Sequence, residues 1–466
     1  MIGHLLRKEW LEWRRDGRLW LALAILALLS LGAGLAGWQQ ASSQHAAAHA
    51  AADHEHERWL DQEEKHPHSA AHYGLYAFRA PGPLAGFDPV LNAYLPVTVW
   101  LEAHRQNEAL YRPAQDSAAQ TRFGQLTPAV IVAGFVPLLL LTLAAPAISG
   151  ERERGTLRQL LLQGVSGPRL LLAKGCALTL LVIALLVPLW LLVLWLLAMS
   201  LVDGDTLLRW LLLGVHVLLA MGSLVLLGLL VSVWARSTRT ALAVVLGFWV
   251  VTTLALPRMT LEAAEWRHPT PAPHVFRGDL QAALADTREL DAALARRRAE
   301  LLERYQVNYV DELPVNFNAV QLQEAEEHGY PIFDEHFGRL HDIYIAQERW
   351  LQWAGWLSPF LALTTASSGL TGTDALHYRD FVERAEDHRR IIQALMNADL
   401  YENPERDGQR YLAGPKLWEQ VPEFDYQPPA LASLLPAYAP SLLAPVGWCL
   451  ALLALLGWSS RRGMQP

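Results

Sequence analysis

Residues 128–201 read PAVIVAGFVPLLLLTLAAPAIS-GERERGTLRQLLLQGVSGPRLLLAK-GCALTLLVIALLVPLWLLVLWLLAMSL. Two stretches free of Asp, Glu, Lys and Arg, Pro128–Ile148 and Gly175–Leu201, flank one charged connector. A bilayer core takes about 20 apolar residues as a helix, so each outer stretch is long enough to cross. The connector Ser149–Lys174 carries Glu151, Arg152, Glu153, Arg154, Arg158, Arg169 and Lys174. It therefore lies in water or at the headgroups, and the chain turns back there.

Four more uncharged stretches of spanning length lie outward from this pair: Leu19–Trp38, Trp210–Trp234, Ala241–Pro257 and Leu434–Trp458. Basic residues in short segments sort to the cytoplasmic side. Arg7, Lys8, Arg14, Arg15 and Arg18 precede the first span, Arg236 and Arg239 separate the fourth from the fifth, and Arg461 and Arg462 follow the sixth. Six spans put all of these, with the basic connector, on one side. The fold expected is an all-α polytopic membrane protein with both termini cytoplasmic. In chain order it comprises an amphipathic segment (1–18), span one (19–38), a polar region (39–127), span two (128–148), the connector (149–174), spans three to five (175–201, 210–234, 241–257), a second polar region (258–433), span six (434–458) and a tail (459–466). Both polar regions are then extracytoplasmic. The uncharged segment Trp350–Leu370 contains Pro359 and several hydroxyl residues, and a seventh crossing would put Arg461 and Arg462 outside, so it is expected to dip into the membrane without crossing.

The polar regions read as helical. Gly278–Tyr305 is rich in Ala, Leu, Arg and Glu, and Asp374–Asp399 offers Phe381, Val382, Ile391, Ile392 and Leu395 as core candidates. The 466 residues carry a net charge of −8, which excludes a protein built to hold nucleic acid. The two cysteines, Cys176 and Cys449, both sit in apolar runs, so no disulfide framework is expected. There is no G-x-x-x-x-G-K-[ST], H-E-x-x-H or G-x-S-x-G, so the chain is expected to be no enzyme. Apart from the cysteines, the ionisable side chain well inside a span is His216, read as a helix-packing residue. Any energy for transport then enters from another subunit. Pro137 and Pro188 offer bends, and Gly214, Gly222 and Gly228 offer close helix approach.

The connector pattern E-R-E-x-G-T-L-x-x-L-L, followed by a Lys at the start of a span, resembles the coupling segment of ABC-2 type transporter permeases. Here it is Glu151, Arg152, Glu153, Gly155, Thr156, Leu157, Leu160 and Leu161, with Gln159 between, then Lys174. The N-terminal stretch, with Leu6, Trp10 and Trp13 beside Ile2 and Leu5 on one face, resembles that family's connecting helix. The two long polar insertions place the chain nearer a long-loop subgroup of these permeases. The resemblance implies a bacterial inner membrane as the location, two ATPase subunits docked below and a second permease copy or paralogue alongside. ATP and Mg belong to those ATPases, with no cofactor bound by this chain. Export or mechanical coupling across the membrane is the implied activity. An alternative is a non-transporting anchor that presents the helical regions to a periplasmic partner.

Seven histidines lie between Gln44 and Tyr73: His45, His49, His54, His56, His66, His68 and His72. If Ala41–Leu60 is helical, His45, His49, Asp53 and Glu57 form one stripe of four-residue steps that could chelate a divalent ion. A solvated Ala/His-rich helix accounts for the same composition. The chelating reading resembles, in outline, the ABC-2 permeases that serve periplasmic copper-enzyme maturation.

Overall fold

The computed structural model describes residues 2–89, 92, 94–110, 126–200, 202–404 and 410–462. Parts of five expected segments lie outside the described residues: residue 1 of the amphipathic segment, 90, 91, 93 and 111–125 of the first polar region, Leu201 at the end of span three, 405–409 of the second polar region, and 463–466 of the tail. Of the described residues 77% are helical. Among the described residues, six helices are long and apolar enough to cross a membrane.

Helix α1 (Ile2–Arg15) ends at Asp16, whose carboxylate accepts from the N–H groups of Arg18 (3.0 Å) and Leu19 (3.4 Å) and so starts α2 (Gly17–Leu60). Helix α2 continues about 33 Å past Trp38, because residues 39–60 contain neither Gly nor Pro to stop it. Then come α3 (Pro67–Tyr73) and a small antiparallel sheet of β1 (Leu75–Phe78), β2 (Thr98–Glu102) and β3 (Arg105–Gln106), with Tyr76 opposite Trp100. This sheet is the strand structure that the sequence reading omitted. Its segments LYAF and TVWLE hold the aromatic and β-branched residues that pack well on a pleated surface.

The second and fifth spans are α4 (Pro128–Glu153) and, after α5 (Thr156–Leu162), α6 (Gly167–Met199) and α7 (Gly204–Trp234), α8 (Thr238–Arg267). In α4 a π turn at Ile131–Phe135 precedes Pro137, and in α8 one at Val251–Ala255 precedes Pro257. Proline cannot donate the i→i−4 bond, and a wider turn just upstream relieves the ring's clash. Pro188, by contrast, stays within the continuous helix α6.

The second polar region begins with α9 (Pro273–Leu284) and α10 (Arg288–Tyr305), a break in the expected Gly278–Tyr305 helix at Asp286-Thr287. Asp and Thr compete for backbone hydrogen bonds and favour helix ends. Next are α11 (Phe317–Ala354), α12 (Pro359–Thr371), α13 (Ala375–Glu402), α14 (Pro415–Trp418) and α15 (Leu431–Arg462), the sixth span. Segment 350–370 is thus the end of α11, a turn at Gly355, and α12. At 13 residues, or about 20 Å, α12 is too short to cross. It packs on α7, α11 and α15 with most of its side chains buried, while Trp350, Trp353 and Trp356 stay partly exposed.

Both polar regions merge into one head. Trp59, Leu75, Val99 and Leu101 share a core with Phe381, Val382, Ile392, Met396 and Trp418. Ile391, expected in the core, is instead 45% exposed, on the side of the helix away from the buried stripe that holds Phe381, Val382, Ile392 and Met396. In the bundle, α4 and α7 are the most enclosed spans, whereas α8 is only 17% buried over its most apolar window. Of the three glycines in α7, Gly214 lies against Trp190 and Gly228 against Ala144, but Gly222 faces open space. A Cβ at Gly228 would stand 2.4 Å from that of Ala144. Gly228→Ala is expected to destabilise by about 1–3 kcal/mol through overpacking. Gly222→Ala is expected to be neutral or to gain up to about 1 kcal/mol of helix propensity. Thermal unfolding in detergent checks the contrast, and equal effects at the two sites would refute it.

Candidate coupling site

The connector folds back into the bundle through its charged residues. Glu151, at the end of α4, has a side chain 1% exposed. Its Oε1 accepts from Lys8 Nζ (2.5 Å) and Lys174 Nζ (3.2 Å), and Thr156 Oγ1 donates to its other oxygen. Lys174 also donates to Glu9 Oε1 (2.7 Å), and Lys8 pairs with Glu12 at 3.0 Å. One carboxylate thus joins α1, α4 and α6. Burial disfavours the Lys8 ammonium, but its hydrogen bonds to Glu151 and Glu12 outweigh that, and its pKa lies above the usual lysine value.

The next two motif residues cap neighbouring helices. Arg152 donates to the carbonyls of Ala235 (2.5 Å) and Val233 (2.9 Å) at the C-terminus of α7. Glu153 accepts from Thr238 N (3.1 Å) and Oγ1 (2.7 Å) at the N-terminus of α8. Each charge complements the helix end it meets. Ser232 Oγ of α7 accepts from the backbone N–H of Ile148 (2.8 Å) and Ser149 (3.0 Å), fixing α4 to α7 at the same level. Gly155 is left-handed, with φ +74°, and starts α5 at a sharp angle that favours glycine.

Helix α5 splits the remaining motif residues. Leu157 is buried, Leu160 and Leu161 are half-buried, and Arg158, Gln159 and Leu162 are exposed, Leu162 at 72%. In α1, Leu5 and Glu9 are buried, Leu6 and Trp13 half-buried, and Trp10 half-exposed against Trp20. The structure thus brings Glu151 and Thr156 together with α1. It turns Arg152 and Glu153 to other helices and leaves Gln159 outward. Sequence reasoning missed Lys8 and Glu9, although both lie on the charged face of the amphipathic segment.

A second buried polar cluster joins the other end of the bundle to the head. Arg209 of α7 donates to Asp205 Oδ2 (2.6 Å) and to Pro429 O (2.7 Å), and lies 3.4 Å from His377 Nε2. His377 pairs through Nδ1 with Asp374, which also accepts from Tyr438 OH (2.6 Å) of α15. Glu348 of α11 accepts from Ala375 N (3.2 Å). A cavity of about 750 Å³ opens beside this cluster, lined by Arg79, Asp205, Arg209, His377 and Tyr426. Nearby, His216 is buried and bonded to Ala362 O (3.1 Å), a packing role.

Residues 97–253 match the family model of the ABC-2 family transporter protein. That stretch runs from β2 through the charged connector into α8. Over that stretch, which holds spans two to four and most of span five, the chain is that of an ABC-2 type permease. Residues 279–427 of the permease match a domain of unknown function, DUF3526, which covers most of the head from α9 to α14. No curated protein and no solved structure matches the chain.

Removing one partner of a buried ion cluster strands the other charge at a cost of about 3–5 kcal/mol. Glu151→Ala is therefore expected to lower permease stability by about that amount, and Glu153→Ala, exposed at a helix end, by much less. Thermal unfolding in detergent separates them. At the far end, burial and then the neighbouring Asp374 push the Glu348 carboxyl up from its ordinary 4.5 to about 8. The folded chain then keeps a proton that the unfolded chain loses, so this group's contribution to stability falls as pH rises from about 4.5 to about 8. Glu348→Gln is expected to flatten that decline, and an unchanged pH profile of unfolding would count against it.

Proposed function

We propose that this permease is the membrane subunit of an ATP-driven machine, with two separate ATPase subunits supplying hydrolysis and a second permease, identical or paralogous, alongside. The connector side faces the cytoplasm and the head lies outside the inner membrane. An ATPase docks on the exposed face of α5, at Arg158, Gln159 and Leu162, and against the outer face of α1. Glu151, Arg152 and Glu153 then act as the internal clamp that passes a push on α5 to α6, α7 and α8. The observation that carries this reading is the placement of α7. Its C-terminal end is held by Arg152 and, through Ser232, by the end of α4; its N-terminal end is held through Arg209 to Pro429 O and His377 and through Asp205 to Leu431 N. It is a helix of 31 residues, about 46 Å long. A rigid helix fixed at both ends moves the head when its lower end is displaced, which favours mechanical work on the head over passive anchoring. The little-buried surfaces of α2 and α8 supply apolar area for the second permease.

Because Leu157 is buried, replacing it tests folding as well as docking. The sharper variant is Arg158→Glu with Leu162→Asp, both on the exposed face. It is expected to abolish co-purification of the ATPase while leaving the permease's melting temperature unchanged. Undiminished co-purification would overturn this docking surface.

A further inference from the structure

Outside the coupling site, three histidines converge on the head. His68 and His72 stand one turn apart on α3, with ring centroids 4.7 Å apart. The His104 ring lies 5.0 Å from His68 and 5.2 Å from His72. One ligand nitrogen from each ring falls within 4.8 Å of the others. Donors around a single zinc ion stand about 3.4 Å apart, given bond lengths of about 2.0–2.1 Å. His72 and His104 are exposed, which leaves their rings room to move toward that spacing.

His104 is held for this task. It is the second residue of the two-residue turn joining β2 and β3, and its φ is +67°, a region usually left to glycine. Its backbone N–H donates to Glu326 Oε1 (2.6 Å), and its Nδ1 lies 3.0 Å from the same oxygen. The Glu326 side chain is 2% exposed, and its other oxygen accepts from Arg389 Nη1 (2.9 Å). A carboxylate on Nδ1 fixes the tautomer and turns Nε2 outward, the second-shell arrangement that accompanies most histidine ligands to metals. The strained turn and the buried carboxylate together aim one imidazole at two others.

We propose that His68, His72 and His104 bind a first-row divalent cation, zinc or copper(II), through three imidazole nitrogens, with Glu326 positioning His104. Three neutral nitrogen donors suit these borderline ions, and the exposed side leaves a coordination position for water or for a partner's side chain. The bound ion ties α3 to the β2–β3 turn, and through Glu326 and Arg389 to α11 and α13. The stripe His45, His49, Asp53 and Glu57 is a poorer site. Four-residue steps on a straight helix spread it over about 18 Å, and His45 Nδ1 is bonded to Pro81 O (3.1 Å).

The test is titration of the full-length permease in detergent with Zn²⁺ and, separately, Cu²⁺. Expected is one ion per chain with micromolar or tighter affinity. His104→Asn keeps a residue that tolerates the left-handed turn, and His72→Ala alters an exposed position. Each is expected to weaken binding at least about 100-fold, and Glu326→Gln about 10- to 100-fold. The double variant His45→Ala, His49→Ala is expected to bind as the wild type does. Copper(II) paramagnetic resonance should report three coupled nitrogens in the wild type and two in His104→Asn. Affinity no better than about millimolar for both ions, or a loss in the His45/His49 variant and none in His104→Asn, would overturn the site.

Discussion

A buried carboxylate between two ammonium groups organises the connector end of this permease. Glu151 is enclosed by α1, α4 and α6, and an ionised carboxylate in that position is tolerable only because Lys8 and Lys174 meet it. The need to satisfy that charge explains why a short, charged N-terminal helix packs its polar edge inward. Lys8 and Glu9 belong to the helix but complete the bundle. Arg152 and Glu153 extend the same logic by satisfying helix ends that would otherwise carry orphan carbonyls and N–H groups.

The consequence is a division within one short motif. Its charged half bonds to the surrounding helices, with Glu151 buried among them, and its α5 half presents Arg158, Gln159 and Leu162 outward. An amphipathic helix of seven residues is marginal alone in water. Here Leu157 anchors it, so the exposed residues are offered at a fixed angle set by the left-handed Gly155. At the opposite end the same economy recurs, with Arg209, His377, Asp374 and Tyr438 joining two spans to the head through buried polar contacts. The bundle and the head are therefore tied by directional bonds as well as by apolar packing.

Much of the site was legible and part was not, for a consistent reason. The motif spacing pointed to residues 151–161, and charge counting placed the basic segments at one end, because both signals are local. Neither could say that Leu157 is buried while Leu162 is exposed, since that depends on which neighbours cover a helix of under two turns. The histidines illustrate the same limit. The run from His45 to His72 is conspicuous along the chain, yet the ring that completes the tight cluster is His104, more than thirty residues beyond His72 and carried on a strand turn.

By itself, the sequence determined the six apolar crossings, the polar regions between them and the helical character of most of the chain. Those follow from length, hydropathy and propensity, which each segment carries alone. Tertiary structure decided that the two polar regions share one core, that α12 is an internal helix, and that prolines at 137 and 257 are absorbed by π turns whereas Pro188 is not. It also decided which charges face each other across 143 and 165 residues of chain, Lys8 with Glu151 and Glu9 with Lys174. Such pairings depend on helices meeting in three dimensions, and no local pattern encodes the meeting.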